Sequence, residues 1–182
     1  MLNKIQTFFK TFPKCPIVAY KRSRNIGEYL IRSKLYPLEN YTMRSRNGFV
    51  RCNKNCILCQ HSHNTAHHTS CKTKERFDIK SKISCNDTFI IYSISCKRCP
   101  NIEYIGQTSQ SAVRRFTNHR SDVSSKLDKP VAEHFNLPSH DKSDMIFIPF
   151  EKLRKKDATL LNVRERFWIN KKETLLHGLN RQ

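Results

Sequence analysis

Cysteine and histidine carry the most legible chemistry in this chain. Cys52-x3-Cys56-x2-Cys59 sets three thiols at metal-ligand spacing, with Cys85 or Cys71 as the candidate fourth ligand. His61, His63, His67 and His68 add nitrogen donors to the same stretch. A borderline-soft ion with four sulfur or nitrogen ligands, most simply Zn²⁺, suits that set; a loop of free cysteines is the alternative. A second pair, Cys96 and Cys99, lies in a short turn where CxxC can bite one ion. Downstream, His134 and His140 flank the turn HFNLPSH, either as further ligands or as surface histidines.

A different chemistry gathers between Phe89 and His119. Tyr92 and Tyr104 fall on two neighbouring strand-like runs, and Arg115 and His119, four apart, share one helix face. Guanidinium is shaped for two phosphate oxygens, imidazole moves protons near neutral pH, and a phenol beside cations can have its pKa lowered. The group therefore suits phosphate handling, with plain strand packing as the alternative for the tyrosines. Glu165 falls in a helical arc with Leu161, Trp168 and Ile169. An acid inside an apolar arc has a ligand or a partner, and Arg164 on the same arc offers an ordinary ion pair.

These residues need elements to hold them. Alternation over Phe89–Ile94 predicts a strand, Ile102–Gln107 a second, and Met145–Phe150 a third that Pro149 either ends or places at an edge. Ser109 is the expected N-cap of a helix to Ser124; Pro130 opens a short helix to Phe135, and Asp157 caps a last one to about Lys172. The order β-β-α-α-β-α makes an α/β domain over 87–182. A Cys/His-rich, zinc-binding linker over 49–86 precedes it, and a basic segment over 1–48 comes first. That segment carries an expected helix from about Asn25 to Leu35 and the cluster Lys21-Arg22-Ser23-Arg24, a phosphate contact or a solvated run.

Composition bounds the partner. Lys+Arg number 34 against 15 Asp+Glu, a formal charge of +19, which implies a polyanion and most simply nucleic acid. The start, MLNKIQTFFKTFPKC, lacks the continuous apolar core of a secretion signal, and no apolar run approaches the roughly 20 residues of a membrane span. A reducing compartment is expected, which favours zinc over disulfides. With only four glycines there is no Gly-rich phosphate loop, which argues against a nucleotide-triphosphate site.

The stretch FIIYSISCKRCPNIEYIGQTSQSAVRRFTNH resembles the core of GIY-YIG endonucleases. Ile90-Ile91-Tyr92 stands at the first motif, with Ile90 in the glycine position, and Tyr104-Ile105-Gly106 matches the second, with eleven residues between Tyr92 and Tyr104. The CxxC between the motifs, the segment AEHFNLPSH, the helix RERFWI and the terminal GLN make it similar to the endonuclease domain of Penelope-like retroelements, over roughly residues 16 to 182.

That resemblance implies a small GIY-YIG-type fold, a three-stranded sheet flanked by helices. It implies one structural zinc on Cys96, Cys99, His134 and His140, a second on Cys52, Cys56, Cys59 and either Cys85 or Cys71 being possible by spacing. It makes Glu165 the ligand of a catalytic Mg²⁺ (or Mn²⁺) and Arg115 the grip on the scissile phosphate. Tyr92, Tyr104 or His119 would serve as base, and Asn180 would orient a phosphate or the site itself. The implied activity is nicking of DNA in the nucleus, supplying a 3′ hydroxyl for a reverse transcriptase domain with its RNA template. The chain is then a stand-alone nuclease or part of a longer product. A zinc-stapled nucleic-acid-binding module without catalysis is the alternative.

Overall fold

Strand β5 (Ile90–Cys96) is the centre of the molecule, and every residue in it except Ser95 is buried. It starts one residue later than the alternation predicts, because Phe89 has a left-handed backbone (φ 53°) that cannot extend a strand. The computed structural model describes residues 47–181. The helix expected near 25–35 and the Lys21-Arg22-Ser23-Arg24 cluster lie outside them.

β5 pairs antiparallel with β6 (Glu103–Thr108) on one side and β7 (Met145–Lys152) on the other, giving the order β6-β5-β7. Pro149, which has no N–H to give a ladder, does not end β7 but sits on this edge strand, the second of its two expected places, next to a bulge at Ile91/Tyr92. Helix α2 (Ala112–Ser124) lays Ala112, Phe116, His119 and Val123 inward, an i, i+4, i+7, i+11 stripe. Phe116 meets Phe147 of β7 edge-on at 5.5 Å. The N-cap of α2 is Ser111 rather than Ser109: its side chain accepts from Arg114 N. The register is set from outside the helix, since Ala112 N and Val113 N donate to the Asp87 and Cys85 carbonyls.

Helix α3 (Pro130–Phe135) begins on its proline, and α4 (Ala158–Lys171) on Asp157, whose carboxylate accepts from Thr159 N and Leu160 N. A last turn, α5 (Thr174–His177), follows. The result is a small mixed α/β domain with a three-stranded antiparallel sheet and a four-cysteine cluster ahead of it.

The Cys-rich segment contributes β1 (Gly48–Val50), a helical turn α1 (Ile57–Gln60), and strands β2 (His67–Thr69), β3 (Arg76–Asp78) and β4 (Lys82–Ser84). β1 pairs with β4 and β2 with β3. Phe49, Leu58 and Ile83 belong to the same apolar core as Ile90, Tyr92 and Phe147. Phe147 N of the edge strand donates to His61 O, so the segment also covers β7. No helix among the described residues is long and apolar enough to cross a membrane.

Candidate active site and metal centres

Tyr92 is the cross-strand partner of Gly106, and that pairing explains the glycine. A Cβ at Gly106 would stand 2.5 Å from the Tyr92 hydroxyl and 2.7 Å from the Tyr104 ring. With that space open, Tyr92 lies flat against Phe147, ring centres 4.4 Å apart, and its hydroxyl reaches α2.

There three side chains meet. Arg115 Nε donates to Tyr92 Oη at 2.9 Å, and Tyr92 Oη lies 2.8 Å from His119 Nε2. Guanidinium only donates, so the Tyr92 oxygen accepts from Arg115, and the phenol can give its own proton to a neutral imidazole. Burial, then the Arg115 and Lys129 charges, push His119 down to about 3, in agreement. Burial likewise pushes Tyr92 well above the usual phenol value, and the residue is fully enclosed. Tyr104, on β6, is only half-buried and also hydrogen-bonds Arg115; burial and the Glu165 charge raise its pKa. Both phenols therefore stay protonated in the resting protein.

Glu165 approaches the same group from α4. Its carboxylate accepts from the Gln107 amide on the outer edge of β6, and burial raises its pKa against the opposing Arg115 and Arg166 charges. The ion pair that sequence offered, to Arg164, is not made. Arg164 instead grips Glu151 of β7 through Nε at 2.8 Å and a terminal nitrogen at 3.0 Å. Glu165 forms no ion pair among the described residues and remains half-buried.

Asn180 takes the next place on the β6 edge. Its Oδ1 accepts from Ile105 N at 2.9 Å and its Nδ2 donates to Ile105 O at 2.7 Å. Leu179 N donates to Glu103 O beside it. The Leu179-Asn180 pair therefore acts as a fragment of an extra strand, and the Asn180 amide orients β6.

Two groups of ligand atoms are gathered as well, each within 4.8 Å of one another: Cys52, Cys56, Cys59 and Cys85, and Cys96, Cys99, His134 and His140. The first resolves the choice of fourth thiol in favour of Cys85. Its Sγ stands 3.5 Å from that of Cys59, which is 3.5 and 3.6 Å from those of Cys52 and Cys56. Zn–S bonds of about 2.3 Å in a tetrahedron set sulfur edges of about 3.8 Å, close to this spacing. The Cys56 amide and then the neighbouring thiols pull Cys52 down to about 6, while burial pushes Cys59 and Cys85 up. Four sulfur atoms packed this way suit a cation, which would take them as thiolates.

In the second group, His134 Nε2 is buried without a hydrogen-bond partner, as a ligand nitrogen waiting for a metal would be. His140 Nδ1 faces Pro138 O at 3.1 Å, which leaves Nε2, 3.2 Å from Cys99 Sγ, as the ligating atom. Both groups fit Zn²⁺. The extra histidines stay out of them. His61 is occupied on both nitrogens by Met145 O and Arg120, and His68 by Glu103. His63 and His67 join neither group.

One polar group was not legible in sequence. On the opposite sheet face from Tyr104, Glu103 accepts from His68 at 2.7 Å, Lys172 at 2.9 Å and Cys71 N at 3.2 Å. All three side chains are under 10% exposed. The sequence signal that remained unused was Lys172 itself, a lysine that continues the apolar side of α4. No protein family, curated protein or solved structure matches the chain.

Proposed function

We propose that this chain is a divalent-metal-dependent DNA endonuclease of GIY-YIG type, similar to the nuclease domain of Penelope-like retroelements, which nicks DNA and leaves a 3′ hydroxyl for target-primed reverse transcription. The observation that carries the reading is the convergence of Tyr92, Tyr104, Arg115 and His119 into one hydrogen-bonded group beside an unpaired Glu165. The +19 charge supports a nucleic-acid substrate.

Each residue has a distinct task on this reading. The enclosed Tyr92–His119 pair holds Arg115 by its Nε, which leaves the guanidinium N–H groups not taken by Tyr104 for phosphate oxygens. Tyr104 is the less buried residue of the two, so it is the one assigned to meet substrate or water. Held as a phenol, it donates to a phosphate oxygen or accepts from a water. Glu165 would hold a hard divalent ion, Mg²⁺ or Mn²⁺, which supplies positive charge to the phosphate and a more acidic water. Asn180 keeps β6, and with it Tyr104, in place.

The zinc groups take no part in the chemistry. Cys96 and Cys99 sit at the β5–β6 turn and His134 at α3, so one ion ties the hairpin to the helices. The test is conversion of supercoiled plasmid to nicked circles with added Mg²⁺. Wild type should nick, Arg115→Ala should not, and Arg115→Lys should recover little, since a point charge cannot replace a planar fork. Nicking by Arg115→Ala at the wild-type rate would refute the assignment. A purified wild type that binds DNA and never nicks it would leave a zinc-stapled binding module.

A further inference from the structure

A groove of about 660 Å³ runs between the β3–β4 turn, the end of β7 and the outer stripe of α4. None of Tyr92, Tyr104, Arg115, His119 and Glu165 lines it. Six cations do: Arg76, Lys80, Lys152, Arg154, Arg164 and Lys171. The two acids on its walls, Asp78 and Glu151, are already engaged. Glu151 is gripped by Arg164 and the Trp168 indole N–H, and Asp78 lies 3.6 Å from Arg76. Lys152 pairs with Asp87, while Lys80, Arg154 and Lys171 are exposed and form no ion pair among the described residues.

Aromatic rings stand between these charges. Trp168 is braced edge-on by Phe77 at 5.2 Å and Phe150 at 5.1 Å, with its N–H fixed on Glu151. Phe167 is 43% exposed, and the Arg164 guanidinium sits 4.5 Å from its ring centre. Unpaired cations along a trough suit a phosphate backbone, and an open ring beside them suits an unstacked base, which a paired duplex does not present. An acidic peptide would match the cations and leave the rings unused.

We infer that this groove binds single-stranded nucleic acid, with phosphates on Lys80, Arg154 and Lys171 and a base against Phe167. The site stands beside the endonuclease reading and does not depend on it. A strand held here lies along α4, the helix that also carries Glu165, on a separate face.

Trp168 is the only tryptophan of the chain, so its emission reports on the groove. The experiment is titration of the full chain with an oligothymidylate of about twelve nucleotides, inside the usual single-strand site size, without added divalent cation. Trp168 emission should be quenched on binding. Lys80→Ala with Arg154→Ala should lower the salt slope by about 1.4, at about 0.7 per contact on a single strand. Phe167→Ala should weaken binding about tenfold, within the range for a lost base stack. Thermal melts of these variants should match wild type, since all three side chains are exposed.

Arg115→Ala, which removes nicking on the reading above, should keep the quench, so the two readings fail separately. Binding without a change in Trp168 emission, or equal affinity in the combined Lys80, Arg154 and Phe167 variant, would overturn the inference. Equal quenching by polyglutamate would assign the groove to an acidic protein segment, and equal quenching by a duplex of the same length would assign it to paired DNA. Either result overturns the single-strand assignment.

Discussion

Glu103 and Glu165 both serve strand β6, and their surroundings differ in kind. Glu103 points into the core and is closed by three donors, His68, Lys172 and the Cys71 amide. Burial alone would raise its pKa, but His68 and Lys172 hold it below the usual carboxylate range. Glu165 reaches the strand's outer edge and has one backbone amide, no ion pair among the described residues, and a raised pKa. A closed carboxylate has spent its charge on the fold. An open one keeps its charge for something that arrives, and that contrast is the physical content of the proposed metal role.

The two Cys/His groups are sites whose closing charge would be a Zn²⁺ ion, so its removal should have the largest effect. A strong chelator, or Cys96→Ser, should abolish the cooperative thermal transition of the core, because structural zinc is worth about 10 kcal/mol or more in small zinc domains. Metal analysis should find one or two zinc ions per folded chain. Folded protein without zinc would break the comparison at its strongest point.

Next is the closed carboxylate itself. Lys172→Met leaves Glu103 with a weaker set of donors and should cost about 3–5 kcal/mol in urea denaturation, the range for breaking a buried pair. Replacing His68, Glu103 and Lys172 together by apolar residues should cost less than that single change. The reverse order would mean the network stabilises beyond its own desolvation. Asn180→Ala leaves Ile105 N and O without their side-chain partners and should cost about 2 kcal/mol, as buried unsatisfied groups do, with nicking lowered alongside.

The smallest effect is a pH slope. A neutral His119 contributes stability that is complete above its ordinary value of 6.5 and falls as pH drops toward about 3, where the folded protein takes up the proton. His61 and His68 shift in the same direction, burial being the first cause in each. The measurement is therefore a difference: between pH 4.5 and 6.5, His119→Gln should show a stability slope about one proton shallower than wild type. Equal slopes would mean that His119 is protonated in the fold.

How much of this could be read in sequence follows from the reach of each interaction. The strands, the Asp157 cap, the CxxC pairs and the Arg115–His119 face are local patterns, and local spacing reveals them. The start of β5 and the Ser111 cap moved by one and two residues because Phe89 adopts a left-handed backbone and the Asp87 and Cys85 carbonyls anchor the helix. The Glu103 network joins residues 35 and 69 positions apart, and no local pattern announces it. The choice of Cys85 over Cys71 has the same origin: both are spaced acceptably, and only the fold brings one of them to Cys59. The Asn180 role was half legible, since its position near the end was plain and its strand-like pairing was not.

The measurement that tests the contrast most directly pairs two variants, Glu103→Gln and Glu165→Gln, each read for stability in urea and for Mg²⁺-dependent plasmid nicking per folded molecule. Glu103→Gln should lose about 3–5 kcal/mol of stability, as for a broken buried pair, and keep its nicking rate. Glu165→Gln should keep its stability and its DNA binding, while nicking falls by about 10²–10³-fold, the scale of losing a charge-stabilising group. Full nicking by Glu165→Gln, or a loss of stability as large as that of Glu103→Gln, would contradict the account and make Glu165 one more structural carboxylate.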